Sequence, residues 1–418
     1  MSEAAKDINW KTYSITSIVI MLGITLAAIF TGLWVITAIP VGFLFGFFLK
    51  KGELCGASAM SEIPLMRDKS KAFGIWIAIV VSMVGFAVLD LLGLVQLPAK
   101  PLIYLNYIIG GVLFGTGIVL AGGCVSGCLF KAGAGNINSM AGLIGIPLGV
   151  ALVEHGHLSD FQKYMKGFVI KSQDGGPVTL SSLTGMPYWL LACIFAAVTI
   201  TAILIRSKNR KKNNPVRPDD TGFVTRTIRR PWKPWKAGLA IGILAIFAYL
   251  SSASTGRNYP LGVTHGVLHA QMLFTENNLN YAYKKPETKS VIKNQMKSPE
   301  VQTAAAVPQK TGKKVNVWLM LLITSLVIGS WVSGRLSGTI EFKPRPASQT
   351  VVAFIGGILL GTGAAIAGGC VIGNILSGLA LMSVGNILFA VVVVLTNWAV
   401  TYFYLMGGSF SDLFSGNK

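Results

Sequence analysis

Two cysteines in this 418-residue chain share one local context: GTGIVLAGGCVSGC over 115–128 and GTGAAIAGGCVIGN over 361–374, offset by 246 positions. A thiol set among glycines is open to approach and has three uses. It can ligate a metal, exchange with a second thiol, or offer a weak neutral S–H donor. A closed zinc site needs about four Cys, His or carboxylate ligands, and paired C-x-x-C spacing is absent. His265 and His269, four apart in GVTHGVLHAQM, could pair on a metal, the alternative being helix packing or pathway polarity. Exchange would use Cys124 and Cys128, four apart and so on one helical face, but the counterpart of Cys128 in the second copy is Asn374. What both copies share is the donor thiol, at Cys124 and Cys370. Cys55, in KKGELCGASAM where a short apolar segment meets charge, joins them as a third functional thiol; Cys128 is auxiliary. Cys193, alone in an apolar helix, reads as a small core residue. No Walker-type phosphate loop is present, so the chain itself should not hydrolyse ATP. No catalytic residue, metal or cofactor is expected.

The glycines say what backbone must carry these thiols. Gly122 and Gly123 precede Cys124, and Gly368 and Gly369 precede Cys370. Glycine enters backbone regions closed to other residues. Irregular backbone at membrane depth survives only when buried in protein or lining a polar cavity, and its free N–H groups can hold an anion. The competing reading is close helix packing, because Gly111/Gly115 and Gly357/Gly361 fit the GxxxG spacing. Packing explains those four more readily than it explains the Gly-Gly-Cys triplets.

The elements behind the motif are membrane helices. Hydrophobic residues make up 52% of the chain and charged residues 12%, against about a quarter charged in a soluble domain, which excludes a soluble globular protein. Apolar stretches of spanning length, roughly 20 residues, fall near 13–34, 72–94, 187–205, 236–253, 317–333 and 385–406. Shorter ones lie near 36–49, 104–121, 137–153, 258–273 and 349–366. Aligned without gaps, 110–128 and 356–374 agree at twelve of nineteen positions, too many for chance, so the chain is read as duplicated. The expected fold is all-α and polytopic, with about nine transmembrane helices plus short re-entrant helices. Residues 1–186 form the first repeat, 187–235 a linking helix and basic cytoplasmic loop, and 236–418 the second repeat with a basic insertion at 284–314. Nine spans place the N-terminus outside and the C-terminus in the cytoplasm and make the repeats inverted; eleven would make them parallel. Duplicated membrane proteins with interrupted helices are typically transporters, their substrate site lying where the repeats meet.

The net charge of +20 is concentrated in two segments. Residues 206–236 hold eleven Lys/Arg against two Asp, and 284–314 hold eight Lys against two Glu. Both read as loops on one cytoplasmic face by the positive-inside bias, with anionic lipid as a secondary contact. No reader module accompanies the charge, so nucleic acid is not an expected partner. The first helix is longer than a signal-peptide core and is read as retained; a multi-pass protein of a prokaryotic inner membrane follows.

The doubled GxGxxxAGGCxxG segments, the upstream Cys55 and the multi-helix frame resemble the YeeE/YedE family of bacterial membrane proteins, over roughly residues 13–205 and 236–406. The resemblance implies uptake of thiosulfate, or transport of a related sulfur or selenium species. It also implies three pathway cysteines at Cys55, Cys124 and Cys370, inverted halves with concave openings on both faces, and a cytoplasmic sulfur-carrier protein that collects the product. Cys128 and the basic insertion depart from that pattern. Neutral thiols suit such a substrate, since they donate weakly to a small dianion where a thiolate would repel it. Further donors are expected from glycine N–H groups and from Asn136, Asn374 or Thr362. Lys131 and Arg335 are read as charge-balancing or, more simply, as snorkelling at a membrane face. Asp90 is read as interfacial, with proton coupling as the alternative. A persulfide carrier, a thiol redox relay and a structural subunit are the competing functions.

Overall fold

The computed structural model describes residues 10–172, 175–210, 229–275, 279–282, 313–340, 342 and 346–407. The helices in chain order are α1 (Trp10–Thr31), α2 (Ala38–Gly52), α3 (Gly56–Met66), α4 (Ser70–Leu91), α5 (Tyr104–Leu120), α6 (Val125–Gly133), α7 (Ile137–Glu154), α8 (Ser159–Lys166), α9 (Leu180–Thr184) and α10 (Tyr188–Arg210). There follow α11 (Pro234–Ser254), α12 (Thr264–Thr275), α13 (Val317–Ser337), α14 (Ala347–Ile366), a π-turn (Val371–Leu376), α15 (Ser377–Ala380) and α16 (Val384–Val400). A parallel pair of four-residue strands, β1 (Leu279–Ala282) and β2 (Lys313–Asn316), closes the segment between α12 and α13.

Ten helical stretches among the described residues are long and apolar enough to cross a membrane, where nine were expected. Three of them are broken: Trp34–Met66, Tyr104–Gly133 and Ala347–Ala380. Ile137 and Thr339 line one cavity while Glu154 and Leu319 line others. Thus α7, about 27 Å long, and α13 each run from one face of the bundle to the other. Lys131 and Lys100 mark these faces.

This geometry corrects the re-entrant reading. α5 begins beside Ile103 and Tyr107 on the Lys100 face, and α7 begins beside Asn136 on the Lys131 face, so the α5–α6 stretch crosses once as a discontinuous helix. The α14–α15 stretch does the same in reverse, since Ser383, just before α16, donates to the carbonyl of Lys100. An odd number of crossings is therefore gone. Tyr13 of α1 packs edge-on to Trp331, and Thr401 after α16 reaches Ser61 of α3, so both terminal spans have their outer ends on the Lys131 face. The described residues that bracket the two basic segments likewise do not share a face. Trp232 donates to Lys51 on the Lys131 side, whereas Asn316, which caps α13, lies on the Lys100 side. Most of 206–236 and of the insertion 284–314 lies outside the described residues.

Lipid gives no hydrophobic drive between helices, so they associate through close packing of small residues. α5 and α14 cross antiparallel at glycines. A Cβ on Gly117 would stand 2.4 Å from the Leu360 nitrogen, and one on Gly363 2.4 Å from the Phe114 nitrogen. Gly110 meets Ala367 and Gly356 meets Ala121 in the same way. Each pair maps onto its mate by the 246-residue offset. The outer partners are also exchanged. α7 packs on α14 as α16 packs on α5, and α2 packs on α13 as α4 packs on α11. Gly111 and Gly115 sit against Val392 and Thr396, and Gly357 and Gly361 against Gly142 and Ile146, so the GxxxG glycines are packing residues. α1 and α10 stay on the outside with broadly exposed apolar faces. Cys193 is exposed on α10, not in the core as expected, because α10 leans mainly on α4 and leaves much of its surface outward.

Candidate functional site

Both Gly-Gly-Cys triplets adopt one backbone conformation. Gly122 has φ +67° and Gly368 φ +66°, the left-handed region where a side chain is strained. The following cysteine is extended, and a short helix starts after it. Cys124 thereby sits at the N-cap of α6, and Cys370 at the N-cap of the π-turn. The carbonyl of each accepts the N–H four residues on, that of Cys128 or Asn374, at 2.7 Å. Cys55 repeats the pattern as the N-cap of α3. No side chain caps α3 or α6 at these ends, so the first N–H groups and the positive end of each helix dipole face the thiols.

The three thiols are buried together. The sulfurs of Cys55 and Cys124 are 4.0 Å apart, a hydrogen-bonding contact and not a disulfide; Cys124 also meets the Ser126 hydroxyl at 3.3 Å. Cys370 joins them through its neighbours: the π-turn packs on α6, and Val371 fills the space above Gly56. Gly127 leaves room for the Cys55 sulfur, which would stand 2.4 Å from a Cβ there.

The thiols lie between opposed cavities. On one face a cavity of about 360 Å³ is lined by Lys50, Glu53, Glu62, Lys71 and Lys131 among others, with Lys71 and Glu62 paired. On the other face two cavities of about 410 and 220 Å³ share Lys100, His265 and Gly368. The smaller adds Arg257, Tyr259, Thr264, Gly369 and Gly373. Open space lies above Gly373.

Several residues singled out in the sequence have other duties. Asn374 spends its amide donors on the carbonyls of Ala367 and Gly369, and its oxygen accepts from Lys100 at 2.7 Å, so it clamps the turn and has no donor left for a ligand. Asn136 caps α7 by accepting the Ser139 N–H. Thr362 bonds back to Ile358 and packs on Gly149, on the α7 side of α14. Cys128 is fully buried, its sulfur 3.6 Å from the Gly123 carbonyl, a packing position. Arg335 and Asp90 lie exposed near helix ends. The two histidines part company: His265 pairs with Glu154 at 3.2 Å, while His269, held neutral by burial with its pKa pushed down to about 4, accepts the Asn316 N–H. No group of three metal-ligating side chains occurs among the described residues.

Sequence reasoning missed Lys100, Arg257 and Tyr259. Lys100, in LPAKP before an apolar helix, looks like any interfacial lysine. In space it donates to the Gly368 carbonyl at 2.6 Å and stands 5.1 Å from the Tyr259 ring. Burial lowers its pKa to about 8, and burial lowers that of Arg257 to about 10. Tyr259 donates to the Gly373 carbonyl at 2.6 Å.

The model of a family described as "Sulphur transport" matches residues 51–399, which takes in all three helix-capping thiols. The chain belongs to that sulphur-transport family. Two similar proteins are each named thiosulfate transporter TsuA. The one from Escherichia coli K12 is 25% identical over 88% of this chain and 94% of its own length. The one from Spirochaeta thermophila is 29% identical over 88% and 98%. A probable transporter, YedE of E. coli K12, matches a 104-residue stretch at 35% identity, 24% of this chain and 25% of its own. This member of the sulphur-transport family is a multi-pass, all-α membrane protein.

Proposed function

We propose that this protein carries thiosulfate across the inner membrane, the anion passing between the neutral thiols of Cys370, Cys124 and Cys55. The observation that carries the reading is the burial of three helix-capping thiols between cavities on opposite faces. Likeness to two thiosulfate transporters over nearly their full length supports the substrate. The S–H groups donate weakly and the N-termini of α3 and α6 add positive potential, so a dianion is held at several weak sites without being trapped, the condition for conduction. Gly122, Gly123, Gly368 and Gly369 bend the backbone so that Cys124 and Cys370 head their short helices. The reciprocal packing of α5 on α14 supports inverted repeats, 1–186 and 236–418, joined by 187–235. We read the chain as a transporter without enzymatic chemistry, delivering its substrate to a cytoplasmic sulfur carrier. Uptake of labelled thiosulfate, sulfite, sulfate and selenium oxyanions into vesicles carrying the wild type or Cys124→Ala tests this. Loss of thiosulfate uptake in the variant is expected; wild-type uptake in Cys124→Ala overturns the thiol pathway.

A further inference from the structure

We propose that Lys131 and Lys100 are the paired anion receptors of the pathway, one for each opposed cavity, binding the sulfur oxyanion before and after the thiols. The inference rests on the transport reading and deepens it. Gly122 and Gly368 hold the same place in the two copies and the same left-handed conformation. The carbonyl of each accepts a lysine Nζ at 2.6 Å, Lys131 for Gly122 and Lys100 for Gly368. The two lysines are not counterparts: the 246-residue offset takes Lys131 to Ser377 and Lys100 to Pro346. One comes from α6 and the other from the loop before α5, so two unrelated positions deliver the same ammonium to the same carbonyl.

Neither ammonium has a carboxylate within ion-pair distance among the described residues. Each lines a cavity. An ammonium has three N–H donors; Lys131 spends one on protein and Lys100 two. What remains is a positive charge with a free donor, next to a Gly-Gly-Cys turn, at the place a dianion must pass to reach the sulfur. Arg257 is more committed than either lysine: one of its nitrogens already serves Ser252, Tyr259 and Pro260, and its plane lies against Tyr259 and Trp318. Thr264, 2% exposed with no partner for its hydroxyl, lines the same cavity as Lys100 and supplies a second donor.

A purely structural role, in which the lysines only fix the glycine turns, makes a different forecast. The groups facing Lys100 are Arg257 and Tyr259 from the α11–α12 segment and Cys370 and Asn374 from the α14 break; Glu154, His155, His265 and Lys166 stand across the wider cavity. Lys100 loses its charge as pH rises through about 8. The full chain, reconstituted in liposomes, is assayed for labelled thiosulfate flux from each face, with melting temperature as the folding control. Lys100→Met and Lys131→Met should each raise the half-saturating concentration roughly tenfold or more, as loss of a charge-assisted hydrogen bond implies, each from its own face and with melting unchanged. Wild-type half-saturation at the Lys100 face should climb above pH 8, and Lys100→Arg should bind normally and flatten that climb. Unchanged half-saturation in both Met variants overturns the receptors, as does a joint fall in maximal rate and melting temperature at constant half-saturation. A wild type that moves neither thiosulfate, sulfite, sulfate nor selenite overturns the transport reading itself.

Discussion

Cys55 and Cys124 touch through their sulfurs, while Cys128, one helical turn past Cys124, faces a backbone carbonyl and the Gly142 packing surface. That difference separates their expected phenotypes. Cys128→Ala and Cys55→Ala should each cost about 1 kcal/mol of stability for the lost buried volume, but the first should keep thiosulfate uptake whereas the second should abolish it. Equal uptake by both variants would contradict this assignment. Gly122 needs its conformation more than its smallness, since nothing lies within 4 Å of a Cβ there. Gly122→Ala should still cost about 1–2 kcal/mol from the left-handed backbone and displace Cys124; a drop in uptake larger than the drop in folded protein would be the sign. At this scale the sequence pointed to the thiols more readily than to the polar groups around them. Repetition marked Cys124 and Cys370, but Asn374 proved to be spent on its own turn, and Lys100 carried no local signal.

Helices meet here at glycine, and the crossing of α5 with α14 has no slack: a Cβ on Gly117 or Gly363 would meet main-chain nitrogen, which cannot rotate away. Gly117→Ala and Gly363→Ala should each destabilise by about 1–3 kcal/mol through overpacking, read as lowered melting temperature in detergent. Gly23→Ala on α1, with nothing within 4 Å of the added carbon, should leave it unchanged or slightly higher. Hydropathy located the apolar stretches well, because burial in lipid demands composition directly. It misplaced their trajectory. A glycine-rich interruption looks the same in a helix that turns back and in one that continues to the far side, and only the neighbours of α7 and α16 distinguish the two. The stretch near 258–273 also proved to be irregular chain up to a short helix, Thr264–Thr275.

At the scale of the molecule, the ten apolar helical stretches among the described residues imply an even number of crossings and so predict sidedness. Reporters fused to the two termini should lie on the same side of the membrane, and in a Cys193→Ser background single cysteines at Arg67 and Lys163 should be labelled by an impermeant reagent from opposite sides. Labelling of both from one side would refute the ten-span arrangement. The positive-inside bias counts charge without knowing which helix ends carry it, and here the residues bracketing the basic segments lie at opposite ends of the bundle.

The amino-acid sequence by itself determined that the chain lives in a membrane and that it contains a duplicated Gly-Gly-Cys motif. Those properties reside in composition and local pattern, which need no partner. Only the tertiary structure decided that the broken helices run from one face of the bundle to the other and that Cys193 faces outward. It alone set a lysine from an unrelated position at each repeated glycine carbonyl. Such features depend on which segments become neighbours in space, and packing between residues far apart in the chain leaves no periodicity for the sequence to display.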